Sequence, residues 1–331
     1  MTDRVENRLR WGVLGSSGYI STLVVPAVLA SPTGTLRAVA TRGDGSDPTT
    51  RLAVGHGARL AASYADVVTA PDVDAVYVPL PNTLHVPWAL AAVEAGKHVL
   101  VEKPLATTQD DVRRVLDAAR ANGVSVMEAF MYRFHPQHRR VREIVASGRI
   151  GDVQGVRSSF AFRIDDPGNI RLRPELGGGA TWDVGCYATE VALWFLDDEP
   201  SGVRSVVHRR PGTGVDTTVA AVLEFPHGRF ATIDYSIDHG QQASYEVQGT
   251  HGSVRVENAW ATAQDAATLH VRAHDGAVTR EVLPVTDHYL AQVTAFERAV
   301  LAGEPVPFPP EASLRNVRTL EAVLAAASVP A

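Results

Sequence analysis

Leu9-Arg-Trp-Gly-Val-Leu-Gly15-Ser-Ser-Gly-Tyr-Ile20 is the stretch on which the fold turns. Its first seven residues form a short apolar run closed by glycine, the signature of a strand buried on both faces. The following SSGYISTLVVPAVLAS has the pattern of a helix. A strand that enters a helix through a glycine-rich turn leaves backbone N–H groups pointing outward, ready for a phosphate. A dinucleotide fingerprint needs glycine where the turn tightens, a small residue facing the pyrophosphate and another at the helix–strand contact. Gly15 and Ser17 meet the first two demands, and Ile20 departs from the third. The N–H groups of Ser16, Ser17, Tyr19 and Ile20 are expected at the phosphates. A turn of this kind also occurs without any ligand, so the rest of the chain has to decide.

Outward from that turn, strands and helices alternate. TLRAVATR (35–42), ARLAASY (58–64), VDAVYVPLP (73–81), KHVLVEKP (97–104) and VSVMEAF (124–130) read as strands. Helices fall over 83–96 and 107–123, the second opened by threonine and both stopped by glycine. Continuous apolar strands alternating with helices predict a parallel sheet covered on both faces. Beyond a helix over 135–151 the period changes to two, with alternating runs at 153–163, 203–209, 218–225, 229–237, 243–250, 252–258, 267–274 and 279–285. Two helices, about 287–302 and 311–327, close the chain. The expected fold class is therefore α/β followed by α+β. A Rossmann dinucleotide-binding domain spans 1–125. A substrate-binding and dimerisation domain spans 126–331, built on a large open, mostly antiparallel sheet.

Composition removes several classes of function. The net charge of −6 argues against a nucleic-acid footprint. No apolar run reaches the roughly 18 residues of a membrane span. MTDRVENRLR lacks the apolar stretch of a signal peptide, so a cytoplasmic location is expected. The single cysteine, Cys186, allows no internal disulfide, and no Cys/His spacing suits zinc, so no metal is expected. Of 31 cationic residues only Lys97 and Lys103 are lysines. A GC-rich genome drives lysine codons towards arginine, so a surviving lysine marks a place where a compact ammonium is needed. Lys97, directly after Gly96, is expected to neutralise the end of its own helix.

The end of the second strand bears on the choice of dinucleotide. An acid there accepts the ribose 2′-hydroxyl of NAD. This chain has Thr41-Arg42, a hydroxyl and a guanidinium that suit a 2′-phosphate, which points to NADP. Asp44 and Asp47, slightly later, keep NAD possible.

Four further blocks carry a resemblance: Val78-Pro-Leu80-Pro-Asn82-Thr-Leu-His85; Glu94-Ala-Gly-Lys-His-Val-Leu-Val-Glu102-Lys103-Pro104; Met127-Glu-Ala-Phe-Met-Tyr-Arg133-Phe-His135; and Asn169-Ile-Arg-Leu-Arg-Pro-Glu-Leu-Gly-Gly-Gly-Ala-Thr-Trp182-Asp183-Val-Gly-Cys-Tyr187. Together they resemble the glucose–fructose oxidoreductase / inositol dehydrogenase family, in the branch of NADP-dependent D-xylose dehydrogenases and dimeric dihydrodiol dehydrogenases. The resemblance covers nearly the whole chain. It implies that Lys103 contacts both nicotinamide ribose and substrate, that Tyr187 transfers the proton, and that Asp183 joins them in catalysis. It implies that Leu80, Asn82, His85, Glu102 and Arg133 line the cofactor site. A homodimer or dimer of dimers is also implied. Tyr187 stands where inositol dehydrogenases carry histidine, and Trp182 departs from the usual small aliphatic residue.

The chemistry has its own logic. Oxidising a secondary alcohol takes a hydride acceptor, which nicotinamide supplies, and a base for the hydroxyl proton. Bringing a tyrosine from about 10 to about 7–8 takes roughly 3–4 kcal/mol. One ammonium at about 4 Å, in an effective dielectric of about 20, offers roughly 4 kcal/mol. A Lys–Tyr pair is thus sufficient in magnitude. A carboxylate acts the wrong way, so Asp183 is expected to accept a substrate hydroxyl or to hold Lys103, and to share a helical face with Tyr187 four residues on. The expected substrate is a small sugar or cyclic polyol. The alternatives are a ketoreductase for nucleotide-activated deoxysugars and, in another class, a non-catalytic NADP(H)-sensing protein.

Overall fold

A computed structural model describes residues 8–15, 21–260 and 266–327. The chain divides into two compact units: residues up to Met131 together with Tyr289–Ser313, and Tyr132–His288 together with the chain from Leu314.

The first unit runs β1 (Leu9–Leu14), α1 (Ser21–Ala30), β2 (Gly34–Ala40), α2 (Pro48–Gly55), β3 (Arg59–Leu60), α3 (Tyr64–Val68), β4 (Ala75–Val78), α4 (Asn82–Glu94), β5 (His98–Val101), α5 (Gln109–Asn122) and β6 (Val126–Glu128). All strand pairs are parallel, in the order β3-β2-β1-β4-β5-β6. This is the doubly wound order whose ligand crevice opens where the winding reverses, between β1 and β4. The inner strands are largely apolar because helices cover both faces; Val76, Tyr77, Val78, Val99, Leu100 and Val101 are all buried. The expected third strand over 58–64 shrinks to two residues, and α2, capped by Asp47, is an addition to the expected elements.

Later in the chain come α6 (Pro136–Ala146), β7 (Val153–Arg163), one π-helical turn (Thr181–Gly185), α7 (Cys186–Leu196), β8 (Gly202–Arg209), β9 (Asp216–Glu224), β10 (Phe230–Ser236), β11 (Asp238–Gly249), β12 (Gly252–Glu257), β13 (Ala267–Ala273), β14 (Val278–Leu283), α8 (His288–Ala302) and α9 (Pro310–Ala325). Eight of these strands form one sheet, β14-β13-β12-β11-β7-β10-β9-β8. Every pair is antiparallel except β10–β7. The period-two runs fix this register, since a slip of one residue would turn each buried face outward.

The expected second domain, 126–331, differs from the observed units in two respects: residues 126–131, with β6, and Tyr289–Ser313 pack with the first unit. Glu297 on α8 gives the physical reason for the second. Its buried carboxylate accepts from Trp11 Nε1 (2.8 Å), from Thr33 Oγ1 (2.6 Å) and from the Ser31 hydroxyl. Phe296 packs on the Trp11 ring, with centroids 5.4 Å apart. A buried carboxylate with three donors is held firmly, and losing them would strand a charge.

Candidate active site

In the first unit, Gly15 closes β1 with φ at +87°, a conformation that favours glycine. A Cβ there would stand 2.8 Å from the Leu80 side chain and 3.4 Å from the Tyr64 hydroxyl. Gly15 and Leu80 thus face each other at the winding reversal. Arg42 lies exposed just past β2, and Thr41 Oγ1 accepts from the Gly43 N–H. Asp47 is committed as the cap of α2, accepting from Thr50 N–H (2.9 Å) and the Thr50 hydroxyl (2.6 Å). Ser16, Ser17, Tyr19 and Ile20 lie outside the described residues. Asn82 opens α4 beside Leu80.

The Glu102-Lys103-Pro104 turn follows β5, and its Lys103–Pro104 bond is cis. Three neighbouring elements brace it. From β4, the Tyr77 hydroxyl donates to Glu102 at 2.5 Å. From β6, Glu128 accepts from the Leu105 N–H at 2.9 Å. From α4, His85 places Nδ1 2.7 Å from the Pro104 carbonyl and Nε2 2.7 Å from the Leu80 carbonyl. Burial, with nearby Lys103, pushes the His85 imidazole down to about 4 against the pull of these two carbonyls. Desolvation dominates for a ring this buried, so His85 is neutral and its single N–H serves one carbonyl at a time. Burial also pushes the Glu128 carboxyl up to about 7, while the Ser313 hydroxyl, the Leu105 N–H and Lys103 oppose it. Lys103 therefore sits among groups whose charge is set by the fold. Lys97 is structural, though not at its own helix end as expected. Its Nζ donates to the Ala70 and Val73 carbonyls (2.8 and 2.7 Å), in the loop after α3.

In the second unit, the segment carrying Asp183 and Tyr187 is pinned from the sheet. Asp216 on β9 accepts both the Thr181 N–H and its hydroxyl, each at 2.7 Å. Gly185 lies flat on the Tyr235 ring of β10, where a Cβ would come within 2.7 Å. Asn316 on α9 donates to the Cys186 carbonyl at 3.1 Å. Held at both ends, the chain widens into a π turn, a distortion that recurs at functional sites. Asp183 stands in this turn and Tyr187 in the first turn of α7, which follows it directly. The glycines before the turn permit its approach: a Cβ on Gly178 would strike the Arg171 backbone at 2.5 Å, and one on Gly179 would overlap Asp216.

Within this unit the Asp183 carboxylate binds Arg171 Nε at 2.5 Å. The charge of Asp183 raises the already high Arg171 value, and Tyr187 adds to it. Tyr187 is buried among aromatic rings, with centroids 5.4 Å from Phe160, 5.7 Å from Trp260 and 5.8 Å from Tyr132. Arg133 donates to Glu190 at 2.7 Å and lies 3.5 Å over the Trp194 ring, and Tyr132 also donates to Glu190. Burial and Arg142 push the Arg133 guanidinium down to about 9, which leaves it charged at neutral pH.

So Gly15, Leu80, Asn82, Arg42, Glu102, Lys103 and His85 belong to the first unit, and Asp183, Tyr187 and Arg133 to the second. Sequence reasoning did not single out Tyr77, Glu128, Arg171 or Asp216. Arg171 and Glu128 lay inside quoted motifs, while Tyr77, Glu128 and Asp216 act through partners distant in the chain.

Residues 9–130 match the family model described as "Oxidoreductase family, NAD-binding Rossmann fold". Residues 138–255 match the "GFO/IDH/MocA C-terminal domain". The chain is 38% identical over 324 residues to a D-xylose 1-dehydrogenase (NADP(+)) of Haloferax volcanii, covering 98% of both chains. It is 34% identical to a dTDP-3,4-didehydro-2,6-dideoxy-alpha-D-glucose 3-reductase of Actinomadura kijaniata, covering 96% of this chain and 95% of that one. Among solved structures, a 3-ketoreductase from Actinomadura kijaniata in complex with NADP and TDP-benzene superposes with a TM-score of 0.90 at 33% identity, over 97% of this chain and 98% of that one.

Proposed function

Because the chain belongs to the GFO/IDH/MocA oxidoreductase family, we propose that it is an NADP(H)-dependent dehydrogenase or reductase. It moves a hydride between the cofactor and a hydroxyl or carbonyl of a sugar or cyclic polyol. The observation that carries the reading is the braced turn around Lys103, in the same unit as a glycine cradle at the winding reversal and a guanidinium where NAD enzymes place an acid. Gly15 at a positive φ, directly after β1 at the winding reversal, is the backbone feature a dinucleotide's pyrophosphate requires there, so the residues fit a dinucleotide.

When bound, the nicotinamide supplies the hydride acceptor. Gly15 would present its backbone to the phosphates, together with Ser16, Ser17, Tyr19 and Ile20 as the sequence leads one to expect, and Thr41 and Arg42 would hold the 2′-phosphate. Leu80, Asn82 and Glu102 shape the cofactor site, with His85 supporting it as a neutral brace. Arg133 contributes by fixing Glu190 and Trp194 in the second unit. Lys103 places its ammonium at the ribose and the substrate hydroxyl. Tyr187 takes or returns the hydroxyl proton at its Oη. Asp183 orients another substrate hydroxyl, and its pairing with Arg171 offsets the charge that would otherwise oppose ionisation of Tyr187.

A homodimer belongs to the same proposal. Val206, Val222 and Phe230 stand 68%, 40% and 36% exposed on one face of β8, β9 and β10. Apolar patches of this kind mark interaction surfaces. Cytoplasmic placement rests on the sequence reading; among the described residues no helix is long and apolar enough to cross a membrane.

A second reading, reduction of a nucleotide-linked deoxyketosugar, is favoured by the full-length match to the ketoreductase. NADP⁺ reduction should be screened against aldoses, inositols and trans-dihydrodiols, with NADPH oxidation by a dTDP-linked ketosugar run alongside. Turnover of a free sugar or polyol is the expected result. Turnover of the dTDP sugar alone would select the second reading, and turnover of none would refute both.

A further inference from the structure

We infer that Arg171 is a specificity-determining residue: with Asp183 it takes a vicinal diol of the sugar or polyol, Asp183 accepting from one hydroxyl while the Arg171 Nη groups donate to the oxygen beside it. The inference rests on the proposed placing of substrate against Asp183 and Tyr187, and it names the class of substrate that this placing selects.

Arg171 is held at its backbone on both sides. Its N–H donates to Asn169 Oδ1 at 3.0 Å, and its carbonyl accepts from the Gly179 N–H at 2.9 Å. Gly178 lies so close to that carbonyl that a Cβ would stand 2.5 Å from it. From this fixed base the side chain turns to Asp183, where Nε donates at 2.5 Å. The guanidinium carbon lies 5.7 Å from the centroid of the Phe162 ring. Phe160 and Phe162 are two residues apart on β7 and so share one face of the sheet. Their centroids are 6.2 Å apart, and Phe160 in turn meets the Tyr187 ring at 5.4 Å. One aromatic row thus joins the ion pair to the Tyr187 phenol, all within the second unit. Phe160, Phe162, Arg171 and Asp183 are each half-buried.

A guanidinium carries five N–H donors in a planar fork. Here only the Nε edge is used, and among the described residues neither Nη meets an acceptor. The arginine side chain is 36% exposed and that of Asp183 12%. An ion pair this open adds little to stability, so the fold alone does not call for it. Donors beside an acceptor, next to a row of aromatic rings, suit a polyhydroxylated ring. Adjacent hydroxyls meet the polar pair, and the C–H face lies on the rings. The pair is neutral overall, so it favours hydroxyls over an anionic substituent. A deoxy carbon at either place would leave a polar group desolvated without a partner.

The test is steady-state kcat/KM with NADP⁺ for D-glucose, D-xylose and myo-inositol, and for the monodeoxy forms of whichever parent is turned over. The proteins are wild type, Arg171→Met and Arg171→Gln. Methionine keeps a long side chain beside Phe162 and removes every N–H. Glutamine can still donate to Asp183 but lacks the outer fork, so it repeats the comparison should the methionine variant fold poorly. In wild type, deleting the hydroxyl that meets Arg171 is expected to lower kcat/KM by about 10–100-fold, the scale of a hydrogen bond to a charged group. Arg171→Met should lower the parent by a similar factor, yet lower that one deoxy form by less than about threefold, because the bond is already lost. Deoxy forms altered elsewhere should fall with the parent. An equal fall for every substrate, or a wild type indifferent to each deletion, would overturn the role of Arg171. If wild type oxidises none of the three parents, the sugar-dehydrogenase reading falls, and this inference with it. Ratios between substrates within one variant do not depend on the fraction of folded protein.

Discussion

Around Lys103 the supports are polar side chains: Glu102 under the Tyr77 hydroxyl, Glu128 pushed up to about 7, and His85 pushed down to about 4. Around Tyr187 the supports are mainly shape. They are aromatic rings, a glycine lying flat on Tyr235, and backbone and hydroxyl donors of Thr181 anchored on Asp216. On the roles proposed for Lys103 and Tyr187, a point charge and a proton-transferring hydroxyl need different surroundings. An ammonium works best when nearby charges are fixed by burial. A phenol that must meet a substrate atom works best when its ring cannot move.

That contrast can be broken or sharpened by substitution. The largest effect is expected at the ammonium. Lys103→Arg keeps the charge and loses the compact geometry, so kcat should fall by about 10²–10³-fold, nearly as far as in Lys103→Ala. Lys97→Arg should stay within about threefold, since its two carbonyl acceptors also suit a guanidinium. Steady-state rates of the four proteins decide the matter, and equal behaviour of the two Lys→Arg variants would remove Lys103 from its special place.

The next effect is a pH dependence of stability. The Glu128 carboxyl titrates near 7 in the folded protein and near 4.5 when unfolded. Between those values the folded state holds the extra proton, so stability falls as pH rises through the window and the loss is complete above about 7. The shift amounts to about 3 kcal/mol. Glu128→Gln removes this titration and keeps an acceptor for the Leu105 N–H. Relative to wild type it should gain about 2–2.5 kcal/mol between pH 5 and pH 8, read from urea midpoints. A difference that stays flat with pH would show that Glu128 is not a titrating brace.

The smallest effect belongs to the other region. Asp216→Ala strands the buried donors of Thr181 and should cost about 1–3 kcal/mol. The cost should be the same at pH 6 and pH 8, and kcat should fall with it as the π turn loosens. A strongly pH-dependent loss would erase the distinction between the two regions.

The architecture was legible because periodicity is local. β7 spans Val153–Arg163, the limits its alternation predicts, and the apolar strands of the first unit stand where they were read. The motif residues were legible as residue types but not as environments. His85 reads as a cofactor-lining imidazole, yet both its nitrogens face backbone carbonyls. Arg133 reads as a cofactor contact, yet its guanidinium is engaged by Glu190 and Trp194. The π turn was hidden because its causes, Asp216 and Tyr235, lie more than thirty residues away on other strands. The return of α8 was hidden for the same reason, since Glu297 finds its donors at Trp11, Ser31 and Thr33.

The central claim is that Lys103 and Tyr187 serve one proton transfer. The pH profile of kcat/KM for NADP⁺-linked oxidation tests it most directly, measured for wild type, Tyr187→Phe and Lys103→Met. Tyr187→Phe should lower kcat by about 10²–10⁴-fold and abolish the limb that rises towards alkaline pH. Lys103→Met should keep a limb and move it to higher pH, because an ammonium that favours the ionised phenol is gone. An unmoved limb in Lys103→Met, or a Tyr187→Phe enzyme that retains most of its activity and its limb, would contradict the account.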